Sequence, residues 1–290
     1  MAPAALIAAG GESWVYALRG DRILRTLRVP QDPAALGRKQ IFLDGLAGRL
    51  PFATSEIEAI APDGSWTIER RIPGASLLVL LRTLRGRERE TALTRYAEAV
   101  DAIGAIRFPE RPYGQILVEP PTIAETWHDY LRRRLDEFIA ANGAAIESHR
   151  GGLDALRTLA LRLIDGVAAM PTKALVHGDY FPGNVIVDRL HVTGLVDFSV
   201  WTVVGDPLYD VIGALIFLEM AEEATPGDVA LVRRVLRARH GDALDGPAPF
   251  YRAYFAFAMA DPGNLAGPYP RLWPWALANL DALAEGRLAL

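Results

Sequence analysis

The segment from Leu175 to Asp210 reads LVHGDYFPGNVIVDRLHVTGLVDFSVWTVVGDPLYD and holds a closely spaced set of polar residues. An apolar run ends in His177-Gly178-Asp179, and Asn184 follows five residues after Asp179. Asp197 comes thirteen residues after Asn184, and the β-branched residues between the two predict a β-hairpin. The spacing therefore predicts a strand, a loop and a hairpin that bring these polar side chains together.

Such a set of oxygen-bearing side chains is what phosphoryl transfer requires. One carboxylate accepts the proton of the attacking hydroxyl, while an amide and a second carboxylate give oxygen ligands to Mg²⁺, which bridges the phosphates of ATP. We predict Asp179 as the catalytic base and Asn184 and Asp197 as the magnesium ligands. The spacing also fits the kinase pattern H-x-D-x4-N followed by D-F-G, with Asp197-Phe198-Ser199 in the last place.

Composition excludes several other classes of protein. The chain has 290 residues, of which 51% are hydrophobic, so it can bury a large core. It has no cysteine, which excludes disulfides, a thiol nucleophile and cysteine-ligated metals. The net charge of −4 without a basic block argues against a nucleic-acid partner. No apolar run approaches the ~18 residues of a membrane span, and the run 3–9 lacks the features of a signal peptide. We expect a cytoplasmic monomer.

The remaining pattern predicts an α+β protein with two lobes. Residues 1–72 read as a small β-rich lobe, with strands over 4–9, 14–18, 22–29, 57–60 and 65–71 and one helix over 33–50. Residues 73–290 read as a larger, mostly helical lobe, with long amphipathic stretches over 77–84, 88–106, 123–142 and 153–170. A short hinge near 69–74 joins the two lobes.

The motifs resemble those of the aminoglycoside phosphotransferase and choline kinase family, small-molecule kinases with a protein-kinase-like fold. The family pattern HGD-x4-N, hairpin, D-[WF], G-D-P-x-x-D is present to its end, at Gly205-Asp206-Pro207 and Asp210. The layout is most similar to the hygromycin B phosphotransferases. The resemblance implies ATP or GTP with Mg²⁺ as cofactors and a small-molecule hydroxyl as acceptor. His177, Asp206 and Asp210 would then support the catalytic loop structurally.

The nucleotide site implied by the resemblance lies in the first lobe. Gly10, Gly11 and Ser13 are placed in the nucleotide loop, and the hinge backbone at Glu69, Arg71 and Ile72 would meet the base. Arg25 stands where related kinases carry a phosphate-binding lysine.

The helix that normally pairs a glutamate with that strand cation here offers Lys39, which cannot pair with Arg25. Glu12, Glu56 and Glu58 are the candidate partners of Arg25. From its place on the helix, Lys39 is not expected to substitute for the missing lysine.

The acceptor site is the least specific part of the prediction. Trp201 follows Asp197 closely, and Asp129, Glu219 and Glu222 could meet a polycationic aminoglycoside, although such residues equally fit helix packing and solvated helix faces. An aminoglycoside-type antibiotic is the first expectation. The alternatives are a kinase for choline, homoserine, a fructosamine or a macrolide, and a degenerate kinase that binds nucleotide, or nothing, and acts as a scaffold.

Overall fold

A computed structural model describes residues 5–290, so the predicted strand and the apolar run begin outside the described residues, at Ala4 and Pro3. The first lobe contains β1 (Leu6–Ala9), β2 (Ser13–Leu18), β3 (Arg22–Leu27), α1 (Pro33–Asp44), β4 (Ala53–Thr54), β5 (Ile57–Ile60) and β6 (Trp66–Arg70). Five of the strands form an antiparallel sheet in the order β1-β2-β3-β6-β5. The α+β fold with a β-rich first lobe is therefore confirmed.

Helix α1 begins and ends on recognisable local signals. The side chain of Asp32 accepts a hydrogen bond from the amide of Ala34, and Pro33 occupies the first turn, where its missing N–H costs nothing. The helix ends at Asp44, earlier than the predicted residue 50, and the chain leaves through turns. Gly48 lies in these turns with φ of +72°, a conformation that glycine adopts readily.

The second lobe is built mainly from helices. Its elements are β7 (Ala75–Ser76), α2 (Leu77–Leu80), α3 (Gly86–Gly104), β8 (Tyr113–Gln115), β9 (Ile123–Ala124), α4 (Trp127–His149), α5 (Leu153–Leu163), β10 (Ala174–Val176), β11 (Val185–Asp188), β12 (His191–Leu195), β13 (Val203–Gly205), α6 (Leu208–Met220), α7 (Pro226–His240), α8 (Pro247–Met259) and α9 (Leu272–Ala284). Two four-stranded sheets, β10-β13-β8-β9 and β4-β12-β11-β7, carry the catalytic segment. None of the helices within residues 5–290 is long and apolar enough to cross a membrane.

The start of α4 differs from the prediction. The helix begins at Trp127 instead of residue 123, because Ile123 and Ala124 pair with β8 and Thr126 caps the helix by accepting a hydrogen bond from the amide of Asp129. The apolar periodicity of the segment could not separate these two strand residues from the helix that follows.

Buried aromatic residues tie the helical core to the catalytic loop. Tyr96 of α3 and Tyr180 stack with ring centroids 4.9 Å apart, and the Tyr180 hydroxyl donates to the carbonyl of Tyr96. The Tyr96 hydroxyl lies 2.8 Å from the carbonyl oxygen of Tyr180. This reciprocal pair fixes the residue next to Asp179 against α3.

Both lobes contact the hairpin β11–β12. Strand β12 pairs with β4 of the first lobe, and β11 pairs with β7 just after the hinge. The Phe42 ring of α1 meets the Phe198 ring with centroids 5.8 Å apart. The hairpin therefore places Asp197, which precedes Phe198, at the junction between the sheet lobe and the helical lobe.

Candidate active site

Asp179 and Asn184 face each other across the loop between β10 and β11. The Asn184 side-chain amide donates to the Asp179 carboxylate at 2.9 Å and to the Asp179 carbonyl at 3.0 Å. These two bonds fix the rotamer of the carboxylate and use the Nδ2 hydrogens of Asn184. The Oδ1 atom of Asn184 is thereby turned away from Asp179 and is available as an oxygen ligand.

Asp210, in the first turn of α6, holds the loop in place. Its carboxylate accepts hydrogen bonds from the amides of His177, at 2.6 Å, and Gly178, at 2.9 Å. Burial raises the pKa of Asp210 to about 7, and these two amides act in the opposite direction. Asp206 instead accepts a hydrogen bond from the Leu208 amide at the start of α6. Of the two aspartates, Asp210 is the one whose hydrogen bonds hold the loop.

His177 is a buried, neutral part of this loop. Its Nε2 atom lies 3.0 Å from the carbonyl of Val196, and its Nδ1 atom accepts from the Asp179 amide at 3.3 Å. Burial lowers the pKa of His177 to about 4. A histidine held in this way is neutral at physiological pH and orients the loop.

The electrostatic environment suits Asp179 for proton transfer. Burial, and then the negative charge of Asp197, raise the pKa of Asp179 from 3.8 to about 7, while the hydrogen bond from Asn184 acts against them. A base whose pKa lies near the working pH is the most effective proton acceptor. A cation bound beside the two carboxylates would restore the ionised form of Asp179.

Asp197 lies at the end of the hairpin in a left-handed conformation, with φ of +68°. Such a conformation is strained for a residue other than glycine, and it is often found at functional sites. Among residues 5–290, no group of three or more His, Cys, Asp or Glu side chains could hold a metal by itself. Asn184 and Asp197 fit Mg²⁺, because this ion commonly takes one or two protein oxygens and completes its shell with phosphates and water.

Arg25 has a partner that the sequence analysis did not propose. Its Nε atom donates to the Glu69 carboxylate at 3.0 Å, and its Nη1 atom lies 3.3 Å from the hydroxyl of Ser13. Thr67 adds a hydrogen bond to the same carboxylate oxygen at 2.8 Å. Arg25 is paired with Thr67 in the β3–β6 register, so Glu69 is its diagonal neighbour on the same face of the sheet.

None of the three glutamates predicted as partners of Arg25 forms an ion pair with it within the described part of the chain. Glu56 pairs with Arg70 and Glu58 with Arg22. The prediction of these partners is therefore wrong, because the strand beside β3 is β6, which carries Glu69, and not β5, which carries Glu58.

The predicted nucleotide loop and the predicted hinge lie at opposite ends of the same sheet. Gly10 and Gly11 form the turn between β1 and β2, and the Gly10 amide donates to the Ser13 carbonyl. At the hinge, the Arg71 amide already donates to the carbonyl of Asp21. Pro73 has no N–H, and the Ile72 amide makes no backbone hydrogen bond within the described residues, so it is one donor at the hinge that a base can use.

We predict that Glu69→Gln raises the KM for the nucleotide about 3- to 10-fold, because the ion pair with Arg25 becomes a hydrogen bond to an uncharged amide. Steady-state kinetics with varied nucleotide measures this effect. The matched control is Glu56→Gln, which weakens an exposed ion pair on the same sheet and should leave KM unchanged. Equal KM values for both variants would remove Arg25–Glu69 from the nucleotide site.

The structure places some of the predicted acceptor residues next to the loop that carries Asp179 and others away from it. Trp201 packs beside the catalytic loop, where its carbonyl oxygen closely approaches Gly178, and its ring lies 5.5 Å from the ring of Phe138. Asp129 is engaged at the N-terminus of α4 with Thr126.

Glu219 and Glu222 differ in their availability to a ligand. Glu219 is bound by Arg252, Arg233 and Trp275, so its charge is already used inside the helical lobe. Glu222 is exposed. Of these two acids, only Glu222 remains free to meet a cationic acceptor.

Two residues near the site were not predicted for it. Tyr269, in the Gly/Pro-rich segment before α9, contacts Phe181 with ring centroids 5.2 Å apart, and the neighbouring Pro268 lies against Gly11. Burial and the charges of Asp179 and Asp197 raise the pKa of Tyr269. Lys39 lies on the inner side of α1. No local motif marks Tyr269, since it reaches the site only through the packing of a distant segment. Lys39 was considered only as a substitute for the strand lysine, and that role was not expected of it.

The chain has a two-lobed, kinase-like fold, and comparison with solved structures gives the same fold. A thermostable variant of the aminoglycoside phosphotransferase APH(4)-Ia, in complex with AMP-PNP and hygromycin B, superposes with a TM-score of 0.69 at 20% identity, covering 98% of this chain and 93% of that one. The gentamicin complex of APH(2")-IIa gives 0.61 at 14% identity, with coverage of 96% and 91%. Macrolide 2'-phosphotransferase MphH from Brachybacterium faecium gives 0.58 at 18%, with coverage of 96% and 91%.

Comparison at the level of sequence gives the family. Residues 4–250 match the model of the phosphotransferase enzyme family. The protein therefore belongs to that family, and the resemblance drawn from its motifs is confirmed. No curated protein matches the chain.

Proposed function

We propose that the protein transfers the γ-phosphoryl group of ATP or GTP, with Mg²⁺, to a hydroxyl of a small molecule, in the first place an aminoglycoside-type antibiotic. The observation that carries this proposal is the Asp179 carboxylate, fixed by the side-chain amide of Asn184 next to the charge of Asp197. The pairing of a base with two further oxygen donors is the arrangement that phosphoryl transfer uses.

The chain's own residues supply positioning and one proton acceptor. Asp179 orients the acceptor hydroxyl and takes its proton as the new O–P bond forms, while the bond from the γ-phosphorus to the bridging oxygen breaks and the nucleoside diphosphate leaves. Mg²⁺, held by Asn184 and Asp197, would neutralise the phosphates. Arg25, oriented by Glu69 and Ser13, adds positive charge on the sheet side of the cleft.

The nucleotide site supports catalysis over a degenerate scaffold. The scaffold alternative was motivated by the missing helix glutamate, and Glu69 supplies an equivalent partner from a neighbouring strand. The Ile72 amide at the hinge is the proposed contact for the base. The turn at Gly10 and Gly11 is the proposed contact for the phosphates.

The acceptor class rests on the neighbours and on charge. The APH(4)-Ia structure contains hygromycin B, and that of APH(2")-IIa contains gentamicin. The exposed Glu222 and the net charge of −4 suit a cationic acceptor. Trp201 would form the wall nearest to Asp179. A macrolide is the second candidate, because MphH shares the fold with a TM-score of 0.58.

The test is a nucleotide-turnover assay of the purified protein against a panel of acceptors. ATP and GTP are each supplied with Mg²⁺, with an EDTA control, and the acceptors are hygromycin B, gentamicin, kanamycin, a macrolide, choline, homoserine and a fructosamine. We expect turnover that depends on an aminoglycoside and disappears with EDTA. Stimulation by choline or homoserine alone would reassign the acceptor, and binding of no nucleotide at all would favour the scaffold.

Three coarser features complete the proposal. The protein acts as a monomer, its nucleotide-binding lobe ends at residue 72, and it works in the cytoplasm. Size-exclusion chromatography with light scattering checks the first of these, since a monomer has a mass of 31.6 kDa.

A further inference from the structure

Lys39 lies on the face of α1 that is turned toward the protein. Leu36 and Leu43, which are three residues before it and four after it, are buried with 5% and 2% of their surface exposed. Residues at this spacing share one face of a helix. Phe42, on the adjoining part of that face, contacts the Phe198 ring next to Asp197. The half-buried Lys39 side chain is therefore on the face of α1 that is turned toward Phe198 and toward Asp197, the proposed magnesium ligand.

The charges that act on Lys39 are those of the cleft. Its ammonium group is attracted by Asp197, Glu69 and Glu12 and repelled by Arg25. Burial outweighs the carboxylates and lowers the pKa of Lys39. The ammonium group is close enough to Asp197 and Arg25 for their charges to act on it.

Arg25 and Lys39 differ in what already binds them. Arg25 donates to Glu69 and contacts Ser13, so two sides of its guanidinium are engaged. Within residues 5–290, no carboxylate oxygen lies within 4.0 Å of the Lys39 amine, whereas seventeen such ion pairs are formed by other residues there. Lys39 is thus a cation near the proposed catalytic carboxylates whose amine is not paired with a carboxylate in the described part of the chain.

We propose that Lys39 binds the phosphates of the nucleotide, so that the phosphate-binding lysine of this protein comes from helix α1 and not from strand β3. The proposal rests on the proposed function, because it deepens the nucleotide site described there. In this arrangement the phosphate-binding lysine and the acid that pairs with the strand cation have exchanged elements. Strand β3 carries Arg25, which is paired across the sheet with Glu69, and the helix carries the lysine in place of an acid. An ammonium group with three donors suits terminal phosphate oxygens from many directions.

The first experiment compares Lys39→Met with Lys173→Met, because these are the only two lysines in the chain. Lys173 lies near the carbonyl of Pro109 and the ring of Tyr113, away from the cleft. Binding of Mg·ATP, Mg·ADP and adenosine is measured by calorimetry. We expect Lys39→Met to weaken Mg·ATP binding about 10- to 100-fold, as for a lost hydrogen bond to a charged group, and to leave adenosine binding unchanged. Lys173→Met should behave as wild type, and Lys39→Arg should recover part of the affinity.

A second experiment uses the wild-type protein and does not depend on the folding of a variant. Reductive methylation modifies lysine amines, and mass spectrometry assigns the labelled sites. Mg·ATP should protect Lys39 and leave the labelling of Lys173 unchanged, whereas adenosine should protect neither.

The outcomes separate this proposal from the proposed function. Normal Mg·ATP binding by Lys39→Met, or an equal loss of ATP and adenosine binding, would overturn the role of Lys39 while the kinase assignment stands. Absence of nucleotide binding in the wild type would overturn both.

Discussion

Replacement of Asp179 by asparagine is expected to lower kcat about 10²- to 10⁴-fold, the usual effect of removing a general base. Asparagine has the same shape and can still accept the hydrogen bond from Asn184, so the loop should keep its geometry. It cannot take the proton of an acceptor hydroxyl. The measurement is single-turnover phosphoryl transfer at saturating nucleotide and acceptor, because this isolates the chemical step.

The same substitution should not reduce stability. The pKa of Asp179 is raised from 3.8 to about 7, so its ionisation opposes folding; the opposition is complete above pH 7 and fades as the pH falls toward 3.8. At pH 8 we therefore expect a Tm for Asp179→Asn equal to or above that of the wild type. Asp188→Asn, at the far end of the same hairpin, is the control for both measurements. Turnover close to wild type in Asp179→Asn would exclude Asp179 as the base.

The second large effect is expected from Gly178→Ala. Gly178 has φ of +83°, and an added Cβ would lie 2.1 Å from the carbonyl oxygen of Trp201, far inside contact distance. Left-handed backbone and the forced displacement of a neighbouring strand end together should cost about 2–5 kcal/mol. Because Gly178 precedes Asp179, the proposed catalytic base, a chain that still folds should place the Asp179 carboxylate wrongly and lose most of its turnover.

Gly48→Ala provides the matched control. Gly48 has φ of +72° but no atom within 4 Å of its added Cβ, so the substitution tests the backbone conformation alone, at about 1–2 kcal/mol. Urea unfolding of both variants gives the difference in the free energy of unfolding. If the two losses are equal, the close approach of Trp201 to the loop does not constrain Gly178, and the expected loss of turnover in Gly178→Ala would have no basis.

The loop that carries Asp179 could be predicted from the sequence, whereas the ion pair of Arg25 with Glu69 could not. Asp179, Asn184 and Asp197 lie on one continuous strand, loop and hairpin, so their spacing along the chain nearly determines their spacing in space. The partner of Arg25 is 44 residues away, and its identity depends on which strand lies beside β3 and in which register. Glu69 was predicted only as part of the hinge, because local patterns carry no information on strand order.

Contacts between distant parts of the chain also decide which residues are available to the acceptor. Glu219 was predicted to face the acceptor from its place in a cluster of acids, yet it is bound by Arg252 from a helix more than thirty residues further along the chain. Tyr269 reaches the cleft because the segment before α9 folds back over Phe181 and the turn at Gly11. Neither composition nor periodicity predicts these two contacts between distant segments.

The sequence by itself determined the class of protein, the α+β fold with its β-rich first lobe, and the strand, loop and hairpin that carry the proposed catalytic residues, since these depend on local spacing and on apolar periodicity. Tertiary structure alone decided which charges act on one another. It paired Arg25 with Glu69, used Glu219 for the helical core and brought Lys39 within range of the charge of Asp197. The physical reason is that a charge acts through space over a few ångströms, whereas the residues concerned are separated along the chain by distances that only packing of the sheet and helices can close.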